Sequence, residues 1–263
     1  MLRDLPAPPG QLMGKVLHHP DRALLRLILL ARLAWKNAES ERDRLLGFLS
    51  EQCDVDANAM RSEYLDSGFA AWFEKRLAEL HNCGATYKLG TTPGFDCETL
   101  YLVVRAARPR LVVETGVLYG ASSAHILEAL ERNGEGTLYS IELEGDPHGP
   151  SHDFFVPERL KKRWQLILGD SRHELPLLLH RLGGIDHFHH DSLHTSEHMR
   201  WEYETAFRYL HPGGIMSSDD VLISHSLREL RRANAFTRFC EQHRVQWSTC
   251  GNVGIAIRGT ALE

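Results

Sequence analysis

Hydrophobic and polar positions repeat along this chain in two different ways, and the change between them divides the sequence. From about residue 21 to 81 the apolar residues recur at three- and four-residue spacing, with interruptions near Asn37-Ala38-Glu39-Ser40, Asp54-Val55-Asp56 and Ser67-Gly68. That pattern predicts three or four helices, preceded by an irregular stretch over residues 1–20. From Asp96 onward, helical periodicity alternates with short continuous apolar runs of strand length. The expected elements are a helix over about 96–107, strand 110–115, helix 121–132, strands 137–142 and 164–169, helix 172–182, strand 185–190, helix 195–210, strand 213–219 and helix 223–243. Two last β-runs, 245–250 and 253–258, predict a hairpin turning at Gly251-Asn252. Alternating βα units imply a mostly parallel sheet with helices on both faces. The expected organisation is a helical extension or lid over residues 1–95 and an α/β ligand-binding domain over 96–263.

The runs end in chemistry. Leu111-Val112-Val113-Glu114-Thr115-Gly116 passes through Gly120 into Ala121-Ser122-Ser123, which describes a buried strand, a tight loop and a helix whose first N–H groups face a ligand. No Lys-Ser/Thr follows the glycines, so this is not a phosphate-cradling P-loop, and the three-glycine dinucleotide fingerprint is incomplete. Glu114 discriminates further, because an acid there repels a pyrophosphate and suits a cationic or amine-bearing ligand such as S-adenosylmethionine. The run Thr137-Leu138-Tyr139-Ser140-Ile141 ends in Glu142, where a carboxylate can take both hydroxyls of a ribose. A third run ends in Gly169-Asp170, and Asp170 is placed to accept from an adenine amino group.

Further on, Gly184-Ile185-Asp186-His187-Phe188-His189-His190-Asp191-Ser192-Leu193-His194 brings Asp191 and His194 to a fourth strand end, beside the glycine loop. The next strand delivers Asp219 and Asp220 to the same edge. Three hard oxygen donors with room for water suit Mg²⁺ or a similar divalent cation. His187 and His189 alternate on one strand face and are expected to pack.

Taken in order, Glu114-Thr115-Gly116 with Gly120 and Ser122, then Glu142, Gly169-Asp170, Asp191-Ser192-Leu193-His194, Gly213-Gly214 and Asp219-Asp220 resemble a class I S-adenosylmethionine-dependent methyltransferase. The motifs are most similar to those of the macrocin O-methyltransferase and cephalosporin-hydroxylase-like group, over roughly residues 96 to 258. The resemblance implies a Rossmann-like fold with a seven-stranded sheet and a terminal antiparallel hairpin. It implies that Glu114, Gly116, Gly120, Ser122, Glu142 and Asp170 bind the cofactor, that Asp191, Asp219 and Asp220 hold the divalent metal, and that His194, with Asp191, serves catalysis beside the acceptor hydroxyl. Relatives often carry an acid just before that histidine, where this chain has Leu193. The expected activity is O-methylation of a small natural product or sugar in secondary metabolism.

Composition narrows the picture. The 263 residues, 43% hydrophobic, suffice for one α/β core with an appendage, and the net charge of −5 with dispersed Lys and Arg argues against a nucleic-acid partner. Five cysteines, odd in number and without a Cys-x-x-Cys pair, suggest reduced thiols in a cytoplasmic protein. The apolar run 23–35 is broken by Arg26 and Arg32 and is shorter than the roughly 20 residues of a membrane span, and the N-terminus lacks a signal-peptide layout. The N-terminal helices are also a candidate surface for a homo-oligomer. Two alternatives remain open. One is a non-methylating user of the same cofactor and fold. The other is a zinc hydrolase, since His187-Phe188-His189-His190-Asp191 partly matches a His-x-His-x-Asp-His signature that fails at Ser192.

Overall fold

A computed structural model describes residues 38–83, 94–145, 149–221 and 234–259. Three helices come first: α1 (Ala38–Cys53), α2 (Ala57–Asp66) and α3 (Phe69–Cys83). The breaks lie where polar residues compete with the helix backbone, as at Asp56, whose side chain caps α2 by accepting from Ala59 N. Then follow α4 (Gly94–Ala107), β1 (Leu111–Thr115), α5 (Ala121–Asn133), β2 (Thr137–Glu142), β3 (Trp164–Leu168), α6 (Ser171–Leu182), β4 (Ile185–His190), α7 (Ser196–Phe207), β5 (Leu210–Ser218), α8 (Ala235–His243) and the hairpin β6 (Gln246–Cys250) and β7 (Val253–Ile257). The sheet has seven strands in the order β3-β2-β1-β4-β5-β7-β6. All pairs from β3 to β5 are parallel, and β7 lies antiparallel to both β5 and β6. This is the Rossmann-like methyltransferase arrangement that the resemblance implied. Its order reverses between β1 and β4, the crevice where open α/β sheets bind ligands.

One continuous apolar cluster covers a face of this sheet and runs into the N-terminal helices: Leu45 and Leu49 of α1, Tyr64 of α2 and Phe73 of α3 pack with α4, α5, Ile215 and Ile255. On the other face Val113, Phe188 and Met216 pack against Leu179, Tyr203 and Phe236 of α6, α7 and α8.

The largest departures from expectation are two boundaries and one added element. Helix α7 stops at Phe207 rather than near 210, because Leu210 already pairs with Ile185, and β5 starts there rather than at 213. The register then shifts between Ile185 and His187 and accommodates the extra residues around Pro212-Gly213-Gly214, since proline cannot donate to the ladder. A 3₁₀ turn over Glu158–Arg163, absent from the sequence reading, leads into β3. Of the helix expected over 223–243, residues 223–233 lie outside the described residues, as do residues 1–37 and the loop positions 146–148.

Candidate active site

The carboxyl ends of β1, β2, β4 and β5 are tied laterally by backbone bonds that continue past the strands: Gly116 N to Ile141 O, Asp191 N to Thr115 O, and Asp219 N to His190 O, at 2.8–2.9 Å. These bonds bring the motifs, up to about a hundred residues apart in sequence, onto one rim. Gly116 is the tightest point. It has φ +85°, and a Cβ there would lie 2.1 Å from the carbonyl oxygen of Asp191, so only glycine lets the β1 loop pass the segment after β4. Gly120, at φ +81°, starts α5 without a side-chain cap, and a Cβ there would lie 2.6 Å from the carbonyl oxygen of His152. An uncapped helix start beside a glycine loop fits a nucleoside-type cofactor with an anionic group.

Glu142 sits half-buried at the end of β2, where it accepts from Val117 N and Leu118 N at 2.6 and 2.7 Å and from Leu143 N at 2.7 Å. It is the carboxylate that touches the glycine loop directly. Asp170 is exposed and caps α6 by accepting from Arg172 N. Glu114 is placed differently from expectation. It is wholly buried, and its oxygens accept from Ser122, Ser123 and Ser140 at 2.5–2.7 Å. Burial pushes its pKa up in spite of these hydroxyls. Glu114 and Ser122 therefore brace the loop from beneath, and neither faces the rim.

The second group is the acid cluster. Asp191 and Asp220 flank the Nε2 of His194 at 3.5 and 3.6 Å, and His194 is one-fifth exposed with its Nδ1 buried. Asp219 is buried and its Oδ1 has no partner, so burial, followed by the charges of Asp191, Asp220 and Asp96, drives its pKa well up. Asn252 at the hairpin turn donates to Asp220, whose φ of +56° is a left-handed conformation that aspartate tolerates. A partnerless buried carboxylate oxygen among mutually repelling acids fits a hard divalent cation in donor chemistry. Among the described residues, however, no three such side chains are drawn together as a formed metal site. The zinc alternative loses its geometry as well. His187 and His189 share the hydroxyl of Ser217 at 2.7 and 2.9 Å, while His190 points to the other face.

Two groups escaped the sequence reading. Glu202 of α7 is fully buried and accepts from Thr115 Oγ1, His190 Nδ1, Ser192 Oγ and His198 Nε2 at 2.5–2.9 Å. Burial alone would raise its pKa, but the bonds from His190 and His198 outweigh that and hold it far below the usual carboxylate range. The available signal was its place on the buried stripe His198, Met199, Glu202, Tyr203 and Ala206 of an amphipathic helix. The other is His152, whose Nδ1 bonds Leu118 O at 2.7 Å and clamps the glycine loop from the segment after β2.

Comparison with known proteins agrees with this geometry. A methyltransferase-domain family matches residues 113–221. An O-methyltransferase from Bacillus cereus, solved in complex with S-adenosylhomocysteine, is 15% identical, with 71% of this chain and 90% of that one covered at a TM-score of 0.52. The S-adenosylhomocysteine-bound methyltransferase PaMTH1 of Podospora anserina is 17% identical, with 85% and 97% covered at a TM-score of 0.50. No curated protein matches the chain. The methyltransferase-domain match over residues 113–221 and the shared fold agree with the methyltransferase resemblance of the sequence motifs.

Proposed function

We propose that this protein methylates a hydroxyl of a small molecule, a natural product or sugar, with the help of a divalent cation such as Mg²⁺. The observation that carries the reading is the contact between the two halves of the rim. The glycine loop, the cofactor element of the fold, presses at Gly116 against the backbone of Asp191, which begins the Asp191–His194 segment.

S-adenosylmethionine supplies the methyl group on a positively charged sulfur, so alignment and deprotonation of the acceptor are left to the protein. Gly116 and Gly120 keep backbone close to the ligand, Glu142 takes the ribose hydroxyls, and Asp170 lies toward the adenine. Glu114 and Ser122 act one layer further in, by holding the loop's shape. His194 receives the acceptor proton at Nε2, and the carboxylates of Asp191 and Asp220, 3.5 and 3.6 Å from that nitrogen, stabilise the imidazolium that forms. Asp191, Asp219 and Asp220 would hold the cation, whose charge lowers the pKa of a hydroxyl placed beside it. Helices α1 to α3, continuous with the core, form a wall of the acceptor pocket. Among the described residues no helix is long and apolar enough to cross a membrane, and the free thiols of Cys53, Cys97, Cys240 and Cys250 accord with a cytoplasmic enzyme.

The test is calorimetry with S-adenosylhomocysteine, followed by transfer of labelled methyl to a panel of hydroxylated metabolites with and without EDTA. Label recovered as a methyl ether, lost on chelation, supports the reading. Absence of cofactor binding overturns it. Transfer to nitrogen or carbon overturns the hydroxyl assignment, and turnover undiminished in EDTA overturns the metal.

A further inference from the structure

We propose that His152 is a positioning residue for cofactor binding, one that holds the glycine loop in a conformation its own residues disfavour. The inference rests on the cofactor site proposed above and adds to it a residue from outside the motifs. Its basis is the backbone of Leu118.

Leu118 has φ +51°, a left-handed conformation, at the second position of a turn that Gly120 N closes on Val117 O at 2.8 Å. Turns with positive φ there favour Gly, Asn or Asp, because the Cβ of other residues crowds the following carbonyl. Leucine carries a handicap of about five- to thirty-fold in population. Both polar groups of its backbone are held by side chains from the end of β2 and the segment after it. Glu142 Oε2 accepts from Leu118 N at 2.7 Å, and His152 Nδ1 donates to Leu118 O at 2.7 Å. A carbonyl cannot donate, so Nδ1 carries the hydrogen whether or not the ring is charged. Nε2 is buried and meets no partner among the described residues, so the ring acts through Nδ1 alone. The ring is also confined, since a Cβ at Gly145 would stand 3.0 Å from Nε2. The rest of the segment continues the grip: Phe155 N donates to Tyr119 O at 3.0 Å, and a Cβ at Gly120 would meet His152 O at 2.6 Å. Residues 118, 119 and 120 are thus each held by the same strap. Its far side rests on α3, where Arg76 Nη2 donates to Phe154 O at 2.8 Å, the guanidinium carbon lies 3.9 Å from the centroid of the Phe154 ring, and Phe73 meets Phe155 at 4.9 Å. A disfavoured residue held from several sides at a ligand loop is backbone organised before the ligand arrives. Without the Nδ1 bond, Leu118 spends part of its time in ordinary conformations, and affinity falls with the competent fraction.

The experiment is calorimetry with S-adenosylhomocysteine on the full-length chain and its variants. Asparagine keeps an N–H near the Nδ1 position, whereas glutamine moves it to the Nε2 position. His152→Gln is expected to weaken binding about three- to ten-fold, the worth of one hydrogen bond, and His152→Asn less than about two-fold. His152→Gln is then combined with Leu118→Gly. Glycine takes positive φ without support, so in that background the loss should shrink below about two-fold. Equal losses in the two backgrounds, or equal losses for His152→Asn and His152→Gln, would make His152 a general packing residue and overturn the proposal. A parent that does not bind S-adenosylhomocysteine overturns the cofactor site itself, a distinct outcome. If His152→Gln does not fold, Arg76→Gln, which frees Phe154 O and slackens the strap at its far end, is measured in the two backgrounds instead. A loss that Leu118→Gly removes supports the proposal, and one that it leaves unchanged overturns it.

Discussion

Carboxylates lie both behind the rim and on it, and the protein treats the two groups in opposite ways. Behind β1 and β4, Glu114 accepts three hydrogen bonds and Glu202 four, all within 2.9 Å. At the end of β5, Asp219 is also buried but one of its oxygens meets nothing, and burial, followed by the charges of Asp191, Asp220 and Asp96, raises its pKa. The first group is satisfied by the chain's own donors and is part of the scaffold. In the second, burial and the charges of Asp191, Asp220 and Asp96 favour the protonated form of Asp219 against the opposing effect of His194.

The largest effects should come from breaking the satisfied side. Glu114→Ala would strand the buried hydroxyls of Ser122, Ser123 and Ser140 and leave a cavity, at a cost of about 3–5 kcal/mol in denaturant unfolding. A loss below about 1 kcal/mol would show that those serines find other partners and that the scaffold reading is wrong. On the other side, His194→Ala should leave stability and cofactor affinity near the parent's while it lowers the single-turnover methylation rate about 10²–10⁴-fold. A rate within a few-fold of the parent would move the proton to another group.

Asp219→Asn asks whether the signs really differ. In EDTA it should stabilise the protein, by about 1 kcal/mol or more, because a repelling buried acid becomes a neutral amide. Millimolar Mg²⁺ should raise the melting temperature of the parent and not that of the variant. A parent indifferent to Mg²⁺ would remove the metal from the site, and a destabilised variant in EDTA would show that Asp219 has partners that matter more than its repulsion.

The same contrast explains what the sequence could and could not reveal. The strands were legible because each is an unbroken apolar run that ends in Gly or an acid, and the order of those endings located the rim. What a strand-end acid faces was not legible. Glu114 pairs across the sheet with Ser140 on one side and His189 on the other, so its neighbours come from residues 26 and 75 positions away. Alternation along one strand gives the parity of a side chain but not which parity is lined with hydroxyls. Glu202 was readable as a charge on an apolar stripe, yet its partners Thr115 and His190 are joined to it only by the fold. The end of α7 was misplaced for a similar reason, since helical periodicity continues to Leu210 whereas pairing with Ile185 claims that residue for the sheet.

The smallest expected effect lies where the acid cluster meets the N-terminal helices. Glu41 of α1 accepts from Gly251 N at 2.8 Å and Asp96 of α4 from Asn252 N at 3.0 Å, so two acids hold the hairpin turn whose Asn252 side chain reaches Asp220. Burial, with repulsion from Asp220 and Glu41, raises the pKa of Asp96 to about 7, against the partial relief of the Asn252 N–H. An unfolded aspartate titrates near 3.9. Between those values the folded protein holds the extra proton, so stability is greatest below about pH 4 as far as this group is concerned and declines as pH rises toward 7. Asp96→Asn keeps an oxygen for the Asn252 N–H and removes the titration. Its melting temperature should therefore change less between pH 5 and 7.5 than the parent's, by a few degrees, and should match or exceed the parent's at the upper end. If the two curves run parallel across that range, Asp96 is ionised in the folded state and the hairpin turn belongs with the satisfied carboxylates of β1 and β4.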